Sequence, residues 1–421
     1  MKHVRLKYLV LAGVVHVALT VAIFAIGHFQ LLPNTFDQNG TGLTFAIDGV
    51  SYQKVASTLA DANGIADWLN SKAPFHCRVY SLSFATFGRL LGHNILAAEP
   101  LNLLFYLAIL SCIYFLGREV FDDRTGFIAA TIVALWPSFL LHSTQLIRDP
   151  MSIACFLTLV LVLTLLLSRQ LTWRGSIALS VSGVLSVTLF WLVRGNMWNV
   201  VIAAVGLTFL LLIFRIVRRD GLMIGNTIVL VLIIAAVLLV PSRIESTSLP
   251  GVRPIRADQL NGVLKQIGQR RAGFRSYTSQ ASNIDGDVQF HTSGEIVRYI
   301  PRALEIGFFA PFPKMWFEAG GFGRAGRLLS GAETLAMYFV YLAVAFCLWQ
   351  ERRNLKMWFM FSIAAVGLLA LGLVVVNAGA LFRLRYVFWI LLIMLATKTL
   401  ATDNAEKNPD FRSVSSVANI T

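Results

Sequence analysis

A chain of 421 residues that is 56% hydrophobic and only 14% charged, with a mean hydropathy of +0.68, is too apolar for an ordinary soluble domain and reads as a multi-pass membrane protein. The formal net charge of +14 does not argue for nucleic acid. Thirteen basic residues fall in the N-terminus and in short loops between apolar runs, where Lys and Arg set membrane orientation.

The predicted elements are about ten transmembrane helices, because apolar stretches of about 17 to 22 residues, enough to cross about 30 Å of hydrocarbon, recur along the chain. They begin with 8–27, a retained first helix rather than a signal peptide, since the run after "MKHVRLK" has no small-x-small cleavage site. The spans continue at 95–117, 127–143, 150–168, 175–193, 197–217, 224–241, 334–349, 357–376 and 385–400. The loops "GREVFDDRTG", "SRQLTWRG", "RIVRRDG" and "QERRNLK" hold about ten Lys and Arg and are expected inside. Both termini are then cytoplasmic, and two long segments, 28–94 and 242–333, lie outside. This divides the chain into a transmembrane module at 1–241, an extracytoplasmic loop at 242–333, a second module at 334–400 and a tail at 401–421. Four cysteines, Cys77, Cys112, Cys155 and Cys347, have no metal-like spacing.

In the first outer segment, "YSLSFATFGRLLGHN" has helical apolar spacing and is expected to lie along the membrane surface. In the second, "IVRYIPRALEIGFFAPFPKMWFEAG" reads as a re-entrant or interfacial segment, or as a loop with an aromatic belt. Three outer features carry candidate chemistry. "FAIDGVSYQKVASTLAD" places Asp48, Tyr52 and Ala56 on one helix face, with Asp48 at the helix start either as a cap or as a reactive carboxylate. "HSTQLIRDPMS" puts Arg148 and Asp149 before Pro150, a helix-start signal. "NAGALFRLRYVFWILLIMLA" puts Arg383 and Arg385 at the outer mouth of the last span, as snorkelling anchors or as phosphate ligands, since guanidinium forks match phosphate oxygens. Arg194 is a weaker candidate of the same kind. His76, His142 and His291 are read as solvated loop residues.

The ordered set "DGVSYQKVA", "LNLLFYLAILSCIYFLGREVFDDRTGFIAATIVALWPSFLLHSTQLIRDP" and "RLRYVFWILLIMLA" resembles GT-C glycosyltransferases, and within them the bacterial branch of protein mannosyltransferases, aminoarabinose transferases and rhizobial-type galacturonosyltransferases. The resemblance implies an all-α GT-C-like fold with outer-face interfacial helices in the bacterial inner membrane. It implies a hexosyl or pentosyl transferase acting at the extracytoplasmic face among membrane lipids. The donor would be a polyprenyl-phosphate-linked sugar and the acceptor a glycan, lipid or protein. It further implies an inverting attack with Asp48 as base, Asp149 orienting the acceptor or assisting a divalent cation (Mg or Mn), and Tyr52, Arg148, Arg383 and Arg385 on the substrate. Family members commonly pair two acids in the first loop; here Gly49 follows Asp48. An outer-face glycan polymerase or ligase, or a lipid or sugar transporter, is the alternative.

Overall fold

A computed structural model of the chain describes residues 2–31, 47–61, 65–217, 224–244, 260–276, 282–318 and 323–406. The expected inner charges Arg218 and Arg219 and the tail from 407 lie outside these residues. Among the described residues the fold is all-α, with no strand beyond one isolated antiparallel bridge between Asn283 and Asn377.

The chain starts with α1 (Lys2–His28), then three helices of the first long loop: α2 (Ile47–Ala60), α3 (Ile65–Asn70) and α4 (Phe75–Leu91). Next come α5 (Ile95–Val120), α6 (Asp123–Ala134), α7 (Pro137–Ser143) and α8 (Asp149–Ser168). They are followed by α9 (Trp173–Arg194), a 3₁₀ turn (Gly195–Met197), α10 (Trp198–Val217) and α11 (Ile224–Arg243). The second long loop holds α12 (Leu260–Ser276), α13 (Ser293–Phe309) and a 3₁₀ turn (Pro313–Trp316). The last helices are α14 (Gly323–Gln350), α15 (Leu355–Val374), α16 (Ala378–Leu384) and α17 (Tyr386–Glu406).

Seven helical stretches are long and apolar enough to cross a membrane, and nine if each of two bent pairs forms one span. The bent pairs are α6 with α7, at 70°, and α16 with α17, at 54°. The longest stretch, Trp173–Arg215, has 43 residues, about twice what a bilayer needs. It contains α9 and α10 in series, and α10 comes back. Arg215 near the end of α10 donates to the Leu167 carbonyl, close to where α9 begins. Taken as two arms, this stretch accounts for the difference between about ten expected spans and the seven to nine.

Helices in lipid gain little from hydrophobic exclusion, so close packing holds them together, and glycine contacts mark where they approach. α17 is buried nearly all round from Tyr386 to Ala396 and forms the axis of the core with α5, α6, α8 and α15. A methyl group at Gly117 on α5 would stand 2.5 Å from the Gly126 Cα on α6. The apolar helix expected along the membrane surface is α4, which packs on α2 and α5 and leaves Leu82, Phe87, Leu90 and Leu91 exposed. The second expected interfacial segment is α13. It lies along α15, where a methyl group at Gly372 would stand 1.9 Å from the Ala303 carbonyl oxygen.

α1 is held by polar contacts at a point where the spans are dry. His16 Nδ1 lies 2.7 Å from Glu99 Oε1 on α5 and His16 Nε2 3.0 Å from Ser143 Oγ on α7, while the Thr20 hydroxyl donates to Glu99 Oε2 at 2.7 Å. All four side chains are buried. Another buried carboxylate of the spans, Glu333 on α14, accepts from Trp136 Nε1 at 2.9 Å, from the Ser138 amide at 2.8 Å and from the Ser138 hydroxyl. Tyr386 of α17 donates to the same Ser138 oxygen at 2.7 Å. The kink between α6 and α7 is thereby pinned to α14 and α17, since buried polar groups left unpaired would each cost about 1–3 kcal/mol.

Gly372→Ala is therefore expected to lower stability in detergent by about 1–3 kcal/mol, because backbone rather than a movable side chain blocks the new methyl. Gly206→Ala on α10, where nothing lies within 4 Å of the added carbon, is expected to be neutral or to stabilise by up to about 1 kcal/mol. Thermal and denaturant unfolding of the two variants side by side measure the contrast.

Candidate functional site

The site forms where the loop before α8, the end of α9, the start of α2 and the short α16 converge. Its framework is backbone. The single hydroxyl hydrogen of Tyr80 on α4 is shared between Asn102 Oδ1 at 2.7 Å and the Ile147 carbonyl at 3.0 Å, and Asn102 Nδ2 donates to the Gln145 carbonyl at 3.2 Å. The connection from α7 to α8 is buried, and these contacts satisfy carbonyls that water does not reach. They also set the position of Arg148 and Asp149.

Asp149 begins α8 with Pro150 in the first turn, as expected from the sequence, but its carboxylate does not cap that helix. It turns to Arg194, the last residue of α9, whose Nη2 donates to Asp149 Oδ1 at 2.5 Å. Both side chains are 3% exposed. Arg383 of α16 comes from the other side, with Nε 3.4 Å from Asp149 Oδ2 and Nη2 donating to Asp48 Oδ2 at 2.8 Å. Asp48 lies in the first turn of α2 and keeps about half of its side chain exposed. Tyr52, one turn along the same face, stands edge-on to the His76 ring with centroids 4.3 Å apart. Burial raises its hydroxyl above the ordinary tyrosine range, against a smaller downward pull from Arg148. Arg148 is half-buried and makes no hydrogen bond or ion pair among the described residues. Asp149 thus pairs not with its chain neighbour Arg148 but with Arg194, from a different helix.

Three other expectations are corrected. Arg385 is not at an outer mouth: it is fully buried, donates to the Ala310 carbonyl at the end of α13 and to Thr334 Oγ1 at 3.3 Å, and lies 3.8 Å over the Trp389 ring. Residues two apart on a helix point to opposite faces, so Arg383 enters the site while Arg385 stabilises the carbonyl end of α13. His76 is not a solvated loop residue but a buried residue of α4, 2% exposed. His142 lies in α7 against Tyr386, 3.3 Å from its hydroxyl, whereas His291 is exposed as expected.

In folded proteins buried polar atoms are paired, and the exceptions ask for a ligand or water. Five of the side chains with unpaired buried atoms belong to this one cluster: His76, Arg148, Asp149, Arg194 and Arg383. Three guanidiniums against two carboxylates leave the cluster positive. Among the described residues no three His, Cys, Asp or Glu side chains stand close enough to hold a metal, and both site carboxylates already face arginines. This donor set suits an anion and does not suit the expected divalent cation. Arg194 and Arg383 also line a narrow crevice whose walls are Ile153, Phe156, Phe190 and Phe388, so positive charge and an apolar slot meet at one place.

Residues 103–258, a little over a third of the chain, match the protein-family model for the oligosaccharyl transferase STT3, N-terminal. A search of curated proteins finds no significant match. The family likeness covers Asp149 and Arg194 and supports a membrane glycosyltransferase of the GT-C superfamily.

Asp149→Asn leaves Arg194 buried without a counter-charge and is expected to destabilise the protein by about 3–5 kcal/mol. The double replacement Asp149→Leu with Arg194→Met removes both charges and is expected to regain much of that loss while abolishing activity. Unfolding of Asp149→Leu, Arg194→Met and the double variant in the same detergent gives the coupling energy.

Proposed function

We propose that the protein transfers a sugar from a polyprenyl-phosphate carrier to a hydroxyl-bearing acceptor at the extracytoplasmic face, with inversion and with Asp48 as general base. The observation that carries this reading is the ion pair between Arg383 and Asp48 beside the Asp149–Arg194 pair, with unpaired guanidinium nitrogens among them. That donor set suits the anionic head of a polyprenyl phosphate. The family likeness of residues 103–258 supports the transferase class. The finer branch, that of the protein mannosyltransferases, aminoarabinose and galacturonosyl transferases, rests on the quoted sequence motifs.

Arg383 is paired with Asp48 and lies against Asp149. A carrier phosphate arriving at Arg383, Arg194 and Arg148 supplies a new counter-ion, with the planar donors placed for charge-assisted bonds to its oxygens. Asp48 is then released as an exposed, ionised carboxylate next to the anomeric carbon. The acceptor oxygen attacks that carbon as Asp48 takes its proton, the bond from the anomeric carbon to the phosphate oxygen breaks, and the lipid phosphate leaves as an anion held by the arginines. A phosphate needs no proton to depart, so one carboxylate suffices. Asp149, buried and paired, orients Arg194 and Arg383 in place of acting on the acceptor. The arrangement requires no step through a metal.

Asp48→Asn keeps a residue that begins helices well, so folding and donor binding are expected to persist while transfer falls about 100-fold or more. Parental turnover by purified Asp48→Asn protein would remove Asp48 from the role of base. Arg383→Gln is expected to weaken donor binding, with Arg383→Lys recovering only part because it lacks the forked donor pair.

The same reading puts the two long loops outside. Cysteines introduced within 255–290 are expected to react with an impermeant thiol reagent in intact cells, and those within 351–356 only after permeabilisation. The reverse pattern would invert the orientation.

A further inference from the structure

His76 has an environment that its role in packing does not explain. Neither ring nitrogen has a partner among the described residues, although the side chain is 2% exposed. A neutral imidazole carries one donor and one acceptor, and leaving both buried and unpaired is costly. The ring is positioned by two elements. It sits one turn before Tyr80 on the same face of α4, and Tyr80 is the residue that holds the Ile147 carbonyl next to Arg148. On its outer side Tyr52 of α2 stands edge-on against it at 75°. Tyr52 is only partly buried, so displacement of that one side chain uncovers the imidazole from the side of Asp48.

The charge around His76 decides what it can bind. Burial, together with Arg148 and Arg194 and only partly offset by Asp149, holds the imidazole down at about 3. It is therefore neutral throughout the physiological range and offers an N–H and a lone pair, not a positive charge. A phosphate has no hydrogen to give the lone pair, and three arginines are already placed for it. A sugar hydroxyl both donates and accepts, so it can pair with the N–H or with the lone-pair nitrogen.

We propose that His76 is a substrate-positioning residue that binds hydroxyls of the sugar linked to the carrier phosphate, with Tyr52 as the movable side chain over it. This rests on the reading of the arginine cluster as the phosphate site.

The test compares binding of undecaprenyl phosphate with undecaprenyl phosphate carrying mannose, glucose, galactose or a 2-acetamido hexose, each in turn, to the full chain in lipid nanodiscs. The wild type is expected to bind at least one sugar-linked lipid about tenfold more tightly than the bare lipid. His76→Phe is expected to lose that preference while binding the bare lipid unchanged and unfolding at the same or a higher temperature, since an apolar ring replaces two unpaired nitrogens. His76→Gln, which retains a donor and an acceptor, is expected to restore part of the preference. Equal binding of every lipid by the wild type would overturn the proposal. So would a His76→Phe variant that keeps the preference, or one that loses bare-lipid binding and unfolds early, which would mark a structural residue. A change confined to the acceptor KM would overturn it as well. If the wild type prefers a sugar-linked lipid yet transfers nothing to any acceptor, the transferase reading fails and the role of His76 as a sugar ligand stands.

Discussion

The buried carboxylate of Asp149 is the point on which the site depends. It lies between Arg194 and Arg383, which come from helices that close the bundle from opposite sides. Two guanidiniums at this depth would repel each other and would be poorly solvated, so neither arm could hold its place without an acid between them. The acid is in turn held by backbone: Tyr80 and Asn102 grip the carbonyls of the connection that delivers it. One negative charge thus organises three elements, and Asp48 joins the set through the far side of Arg383.

A similar economy governs the other buried cations. Arg385 ends on the Ala310 carbonyl and the Trp389 ring, and Arg271 of α12 donates to the carbonyls of Leu373, at 2.8 Å, Asp285, at 2.5 Å, and Val288, at 3.3 Å. These arginines tie the second long loop to α15 and α17. Structural arginines here donate to carbonyls, whose groups have no water to turn to. The arginines of the site face carboxylates instead, and what sets the site apart is that three guanidiniums with unpaired nitrogens are gathered there with His76, whereas the unpaired Nε of Arg385 stands apart from that cluster.

Much of the fold was legible because a bilayer imposes length and polarity on each crossing. Apolar runs gave the helices that span, and α2, α4 and α13 fell where the apolar spacing in the loops put them. The reading was weaker where a span is broken. Pro137 at the start of α7 marks the break from α6 locally, but the bend is held by Glu333, about 195 residues away, accepting from Ser138, and nothing in "LWPSFLLHS" reveals that partner. Among the site residues, Asp48, Asp149 and Arg383 stood out as charges near the ends of apolar runs. Arg194 ranked low because one arginine at a helix end is an ordinary anchor. His76 carried no signal at all, since a histidine among aromatics in a loop segment looks the same whether it is solvated or buried.

By itself, then, the sequence determined an all-α polytopic membrane protein and concentrated its polar chemistry near the ends of a few helices, because hydrocarbon excludes unpaired charge from span interiors over distances that local composition records. Only the tertiary structure decided which charges meet. Asp48 and Arg383 are 335 residues apart, and Arg383 and Arg385 are two apart yet serve opposite faces of one bent helix. Pairing of that kind follows from helix rotation and crossing geometry, set by glycine contacts and buried hydrogen bonds between distant segments, and no stretch of sequence contains both partners.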